Sequence, residues 1–154
     1  EYYSIKEVSD LLGISIYTLR YYEKIGILDH VKRDAQGRRL FNQSDVLVLN
    51  TVECLKRTGM TLKQIKHYVD LVAEGLPSAG ERLEMFTDQQ KKVDQQIAEL
   101  EACKKTIDGK VKYYQEAVKH GRLDVCHDER DALVQKIFSK NRKKSLRLSI
   151  LEHL

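Results

Sequence analysis

Three side chains in this sequence, Cys54, Cys103 and Cys126, can attack electrophiles or bind soft metals. Cys54 is followed by Lys56 and Arg57. Cationic neighbours favour the thiolate, the form that reacts with aldehydes, nitrosothiols and other electrophiles. The competing reading of Cys54 is a small buried hydrophobe, the usual fate of a free cysteine. Cys126 precedes His127, a donor pair suited to a soft divalent ion, but a closed thiolate site needs more ligands. Cys103, His120 or a second chain would have to supply them, so no metal is assigned and no cofactor is expected. Three widely spaced cysteines fit a reducing cytoplasm better than a disulfide framework. There is no Gly-rich phosphate loop, no carboxylate pair at a recognisable spacing and no nucleophile–base motif, so an enzyme is not expected.

The basic residues are the second chemistry-bearing set. The net charge of +4 is carried by the C-terminal run Lys140, Arg142, Lys143, Lys144 and Arg147 against the single acid Glu152. Net charge alone is weak evidence for a nucleic-acid partner. Placement says more: Lys32, Arg33, Arg38 and Arg39 flank Asp34-Ala35-Gln36-Gly37, a turn signal between two short extended arms. A solvated hairpin has no need of charges of one sign, whereas a wing lying along phosphates uses them.

Helices must hold these groups in place. Ser4 and Glu7 form a capping box ahead of Ile5, Val8, Leu11 and Leu12, and Gly13 ends that helix. Ser15 caps a second helix with Ile16, Leu19 and Tyr22 on its buried stripe, closed by Gly26. Two short helices joined by a Gly-containing turn match a helix-turn-helix, although a plain helical hairpin shares the pattern. Asn42 or Ser44 starts a third helix to about residue 57. Gly59 breaks the chain and Thr61 caps a fourth, with Leu62, Ile65, Tyr68, Val69 and Val72 apolar. Residues 75–80, Gly-Leu-Pro-Ser-Ala-Gly, are the clearest boundary.

A long helix over 81–119 follows. Leu83, Phe86, Gln90, Val93, Ile97, Leu100, Lys104, Ile107, Val111, Tyr114 and Val118 recur at alternating spacings of three and four, the heptad pattern of a coiled coil. A rod of roughly 58 Å cannot bury such a seam against a small domain, so a partner helix is required, most simply from a second copy. Gln90 and Lys104 interrupt the seam. The expected division is a DNA-binding domain over 1–75, a linker over 76–80, a dimerisation helix over 81–119 and a short effector region over 120–154. Within that region a short helix is expected over 128–138 and a last amphipathic one over 145–154, where Leu146, Leu148, Ile150, Leu151 and Leu154 are apolar. No apolar run is long enough for a membrane span, and the N-terminus has no signal-peptide pattern.

Residues 5–8 (Ile-Lys-Glu-Val), 11–15 (Leu-Leu-Gly-Ile-Ser) and 18–28 (Thr-Leu-Arg-Tyr-Tyr-Glu-Lys-Ile-Gly-Ile-Leu) resemble the DNA-binding signature of the MerR family of transcription regulators. Gly37-Arg38-Arg39-Leu40-Phe41 resembles its wing, with Arg38 where the family commonly has Tyr. Residues 54–65 resemble its second helix pair. The resemblance implies an all-α fold with a small β wing: a winged helix-turn-helix followed by a long dimerising antiparallel coiled-coil helix. It places Tyr17, Thr18, Arg20 and Tyr21 towards a major groove. It sets Arg33, Arg38 and Arg39 on phosphates, with Lys56 and Arg57 as an outer clamp or as plain helix surface. The implied mechanism is a cytoplasmic homodimer that holds a palindromic, long-spacer promoter and distorts it for RNA polymerase. The segment from Cys54 to Glu74 and the short effector region resemble the branch that responds to aldehydes and nitrosative stress. A metal or a small organic ligand near Cys126-His127 is the alternative effector, and a coiled-coil adaptor without DNA binding is the remote one.

Overall fold

A computed structural model describes residues 1–151, with side chains up to residue 144. The chain forms α1 (Ile5–Leu12), α2 (Ile16–Lys24), β1 (Lys32–Arg33), β2 (Arg39–Leu40), α3 (Gln43–Arg57), α4 (Leu62–Glu74), a 3-10 turn (Leu76–Ser78), α5 (Ala79–His120) and α6 (His127–Leu151). It is an all-α fold with a small antiparallel β wing and a long helix behind the helix-turn-helix. The chain divides into two compact units, one over Glu1–Ile97 and a second that begins at Ala98.

Local chemistry sets the element ends in the first unit. Ser4 Oγ accepts from Glu7 N at 3.3 Å and Glu7 Oε2 accepts from Ser4 N at 2.7 Å, so two orphan donors of α1 are satisfied reciprocally. Ser15 Oγ accepts from Thr18 N at 3.0 Å to start α2. Asn42, rather than Ser44, caps α3: its Oδ1 accepts from Asp45 N and Asp45 Oδ2 accepts from Asn42 N, both at 2.9 Å. Thr61 and Gln64 repeat the device on α4. Gly26 is required after α2: its φ is +85°, and an added Cβ would lie 2.7 Å from Lys66 Cε.

The core of this unit joins α1 to α4 and the loops between them around Val8, Leu19, Tyr22, Ile27, Leu28, Phe41, Leu49, Val52, Ile65 and Val69, all essentially buried. The wing is firmer than two short strands suggest. Tyr3 N donates to the Phe41 carbonyl at 2.7 Å and Phe41 N to the Tyr3 carbonyl at 2.9 Å, which adds a bridge from the N-terminal segment. The first turns of α5 are tied down as well. Gln89 Nε2 donates to Thr58 Oγ1 at 2.7 Å, Gln96 Nε2 donates to the Thr58 carbonyl at 2.7 Å, and Phe86 meets Tyr68 edge-on with centroids 5.2 Å apart.

In the second unit α6 folds back beside α5. Tyr113 Oη donates to the Leu123 carbonyl at 2.5 Å, Lys112 pairs with Glu129, and Ala117 and Val125 are buried. Gly121, at φ +64°, makes the reversal. Two expectations are corrected here. The long helix begins at Ala79 and ends at His120, so Ala79 and Gly80 belong to it and not to a linker. The C-terminal region is one helix, His127–Leu151, not two short ones. No Gly or Pro lies between those ends, and the Lys/Arg run that looked like a gap consists of good helix formers. The side chains of the expected amphipathic segment at 145–154 and of Arg147 lie outside the described residues.

Candidate nucleic-acid interface

The inward face of α2 is set by Leu19 and Tyr22, both essentially fully buried. On a helix that fixes the opposite face, and Tyr17, Arg20 and Tyr21 lie on it. Tyr17 is 84% exposed, Tyr21 42%, and the Arg20 side chain 62%. Thr18 is half-buried and its hydroxyl shares a hydrogen bond of 2.8 Å with the cap, Ser15. Exposed tyrosines beside a largely exposed guanidinium are costly as inert surface and useful as a contact face.

The wing lies beside this face. Its turn is built by Asp34, whose Oδ1 accepts from Gln36 N at 3.0 Å and Arg38 N at 2.8 Å while Oδ2 accepts from Arg38 Nε at 2.7 Å. Those bonds, first the backbone bond from Arg38, hold the Asp34 carboxyl below its ordinary value. Arg38 remains three-quarters exposed while so paired. Arg33 is half-exposed and donates through Nη1 to the Gly37 carbonyl at 2.5 Å. Arg39 differs: its side chain is 9% exposed and its Nη1 donates to the Val31 carbonyl at 2.8 Å. It is an internal strut of the wing as much as a surface cation.

Glu23 joins the two parts. Its Oε1 accepts from Arg33 Nη2 at 2.9 Å and Arg39 Nε at 3.1 Å, and its Oε2 accepts from Arg20 Nη1 at 3.3 Å. Burial alone would raise the Glu23 carboxyl. The bonds from Arg39 and Arg20 and the charges of Arg33 and Arg39 outweigh burial and hold it below its ordinary value. Glu23 lies within the 18–28 stretch that resembles the family signature, three residues after Arg20 on a helix face, but nothing in that spacing shows that it also meets Arg33 and Arg39.

Lys56 and Arg57 part company. Lys56 Nζ donates to Tyr22 Oη at 3.3 Å and sits 5.5 Å from that ring's centroid, so it docks α3 against α2. Tyr22 Oη in turn donates to Glu53 Oε1 at 2.5 Å; burial first, and this acceptor second, raise the phenol far above its ordinary value. Arg57 is exposed at the end of α3.

Cys54 is exposed, so the buried-hydrophobe reading does not hold for it. With Lys56 turned to Tyr22, Arg57 is the expected cation that shares its side of the helix. The Cys54 carbonyl accepts from Thr58 N at 3.1 Å and Thr58 Oγ1 at 3.0 Å, and Thr58 is the residue that Gln89 and Gln96 of α5 hold. Cys54 therefore sits one turn from the attachment of the long helix. Cys103 is exposed. Cys126 is half-buried at φ +57° just before α6, and His120 pairs with Glu116 at 3.3 Å. Among the described residues no three His, Cys, Asp or Glu side chains converge on a point that would hold a metal ion. Among them, too, no helix is long and apolar enough to cross a membrane.

The seam residues of α5 lie in both units. Leu83, Phe86 and Ile97 in the first, and Leu100, Ile107, Val111, Tyr114 and Val118 in the second, are exposed, while Val93 is half-buried. Phe86 is partly satisfied within the chain by Tyr68.

Two family models match this chain: MerR HTH family regulatory protein over residues 3–71, and MerR, DNA binding, over residues 47–110. The chain is 41% identical over 115 residues to an uncharacterized HTH-type transcriptional regulator of Haemophilus influenzae, covering 75% of this chain and 85% of that one. Among solved structures it is similar to HiNmlR, a MerR family regulator lacking the sensor domain, bound to promoter DNA. That match has 38% identity and a TM-score of 0.75, over 82% of this chain and 96% of the other. It is also similar to a MerR family transcriptional regulator from Bacillus thuringiensis, at 33% identity and a TM-score of 0.68, over 73% and 98% of the two chains. This chain, with its capped helix pair, its short basic wing and the long helix behind them, belongs to the MerR family of helix-turn-helix regulatory proteins.

Proposed function

We propose that this chain is a homodimeric transcription regulator that binds a palindromic promoter, distorts it for RNA polymerase in the cytoplasm, and responds to a reactive electrophile through Cys54. The observation that carries the DNA-binding part is the exposed face of α2 bordered by a basic wing. In this reading α2 enters the major groove and offers Tyr17, Thr18, Arg20 and Tyr21 to base edges and the adjoining backbone. Arg33 and Arg38 lie along phosphates and give affinity rather than sequence choice, and Arg39 holds the wing from within. Arg57 adds an outer phosphate contact, with Lys56 bracing the helix it stands on. The similar protein HiNmlR was solved bound to promoter DNA, which supports the same use of this fold.

Residues 1–75 act as the DNA-binding domain, the 3-10 turn Leu76–Ser78 connects it to the dimerising helix, and the residues after His120 form the effector region. Two copies pair their α5 seams in an antiparallel coiled coil, so two recognition helices meet two half-sites. Phosphate clamps on both arms then supply the deformation energy of the duplex, about 1–6 kcal/mol for a bend of moderate size.

The sensing part rests on two features of Cys54: its thiol is open to solvent, and its carbonyl holds the residue that anchors α5. An adduct there adds bulk one turn from the joint between the DNA-reading helices and the long helix, and so biases one arrangement of the two over another.

Run-off transcription from the protein's own upstream promoter, with and without an aldehyde and a nitrosothiol, tests this directly. Induction of the wild type that disappears in Cys54→Ala is the expected result. An equal response from both proteins, or none from either, removes Cys54 as the sensor and leaves the DNA-binding reading to be judged by operator binding alone.

A further inference from the structure

The wing contains a conflict that one residue resolves. Arg33 and Arg39 are direct partners across the antiparallel pair. Like charges directly opposite each other destabilise a strand pair. Here a single oxygen, Glu23 Oε1, accepts from both guanidinium groups at 2.9 and 3.1 Å. The other oxygen of the same carboxylate accepts from Arg20 on α2 at 3.3 Å. One carboxylate thus touches a cation from the helix and one from each strand of the wing.

The three arginines are not equivalent. The Arg39 side chain is only 9% exposed and is also bonded to the Val31 carbonyl, with Asp29 Oδ1 3.9 Å from its Nη2, so it is the fixed point. Arg33 and Arg20 are about half and nearly two-thirds exposed, so their outer edges remain available. Charge-assisted bonds of this kind fix geometry as well as supply energy. We propose that Glu23 is a positioning residue for DNA recognition, which locks α2 and the wing into one reading surface by holding Arg20, Arg33 and Arg39 at a single point. This rests on the DNA-binding reading above and assigns Glu23 no contact with DNA.

Charge and geometry make opposite predictions for Glu23. By charge alone, removing an acid beside three arginines strengthens binding to any duplex, because phosphate contacts no longer compete with the carboxylate. By geometry, removing it weakens binding to the cognate sequence, because the wing and the recognition helix no longer keep their spacing.

The test compares the full-length wild type, Glu23→Gln and Glu23→Asp by fluorescence anisotropy at one fixed salt concentration. The probes are the duplex that the wild type selects from a random-sequence library and a scrambled duplex of the same composition. Glu23→Gln is expected to lose at least tenfold in affinity for the selected duplex while binding the scrambled one as well as, or better than, the wild type. Glu23→Asp keeps the charge and gives up the reach, so it too is expected to lose affinity for the selected duplex. A Glu23→Gln protein that binds the selected duplex at least as tightly as the wild type overturns the proposal. Equal losses on both duplexes overturn it as well, since Glu23 then only supports the fold. A Glu23→Asp protein indistinguishable from the wild type shows that charge, not position, is what matters. If the wild type itself selects no sequence, the DNA-binding reading fails first, and this inference with it.

Discussion

Arg20 is the side chain that most directly tests which helix reads DNA. It stands on the outward face of α2 between buried Leu19 and exposed Tyr21, and it packs against nothing that the core needs. Arg20→Ala is therefore expected to leave the fold and the dimer intact and to cost about 1–3 kcal/mol in binding to the selected operator, the worth of one good base or clamp contact. Unchanged specific affinity in a mobility-shift titration would move the recognition surface elsewhere. The acid limb of the stability curve tests the Glu23 cluster independently of DNA. Glu23 lies below its ordinary 4.5 in the folded chain. A carboxyl with a depressed folded value stabilises the fold fully above its unfolded pKa and loses that contribution as pH falls through the folded value. As pH falls below about 5 the melting temperature of the wild type should therefore drop more steeply than that of Glu23→Gln. Parallel curves would mean that the arginines do not hold the carboxylate ionised.

At the scale of elements, the attachment of α5 to the domain before it is a polar joint. Gln89 is buried and its amide donates to the hydroxyl of Thr58, whereas Gln96 is exposed and donates to the carbonyl of the same residue. A buried polar group that loses its partner costs more than an exposed one, which finds water instead. Gln89→Ala should lower the unfolding free energy in urea by about 1–3 kcal/mol, and Gln96→Ala by clearly less. Equal effects would show that the joint is no drier at Gln89 than at Gln96. Element identity was legible wherever the cause was local: the Ser4–Glu7 and Thr61–Gln64 boxes, the stop at Gly13 and the turn at Asp34–Gly37 all depend on residues a few positions apart. What depended on convergence was not legible. Glu23 meets partners 10 and 16 residues away, Tyr3 bridges to Phe41, and Lys56 turns back to Tyr22; spacing along the chain encodes none of these. The basic run after Phe138 misled for a third reason: it has no apolar stripe, yet a helix needs one only where it packs, and α6 continues through it.

For the whole molecule the open question is what covers the α5 seam. Among the described residues, Ile97, Leu100, Ile107 and Val111 are exposed at heptad spacing on one helix, an apolar stripe of the kind that marks an interaction surface. In the dimer proposed above, pairing with the same helix of a second copy would remove that surface from water and, for a palindromic site, set two recognition helices on two half-sites. Ile97→Asp puts an ionised carboxylate in the middle of the seam, where no described cation is fixed to receive it. Desolvating an unpaired charge costs several kcal/mol, enough to shift a micromolar or tighter dimer to monomer at ordinary protein concentrations. Sedimentation velocity should then show a monomer whose circular dichroism keeps its helical signal. Because one chain offers one recognition helix, operator affinity should fall with the dimer and should not be recovered by raising the DNA concentration. A variant that still sediments as the wild type does would mean that the partner lies on another face of the helix, and that the heptad spacing marks only the surface left exposed.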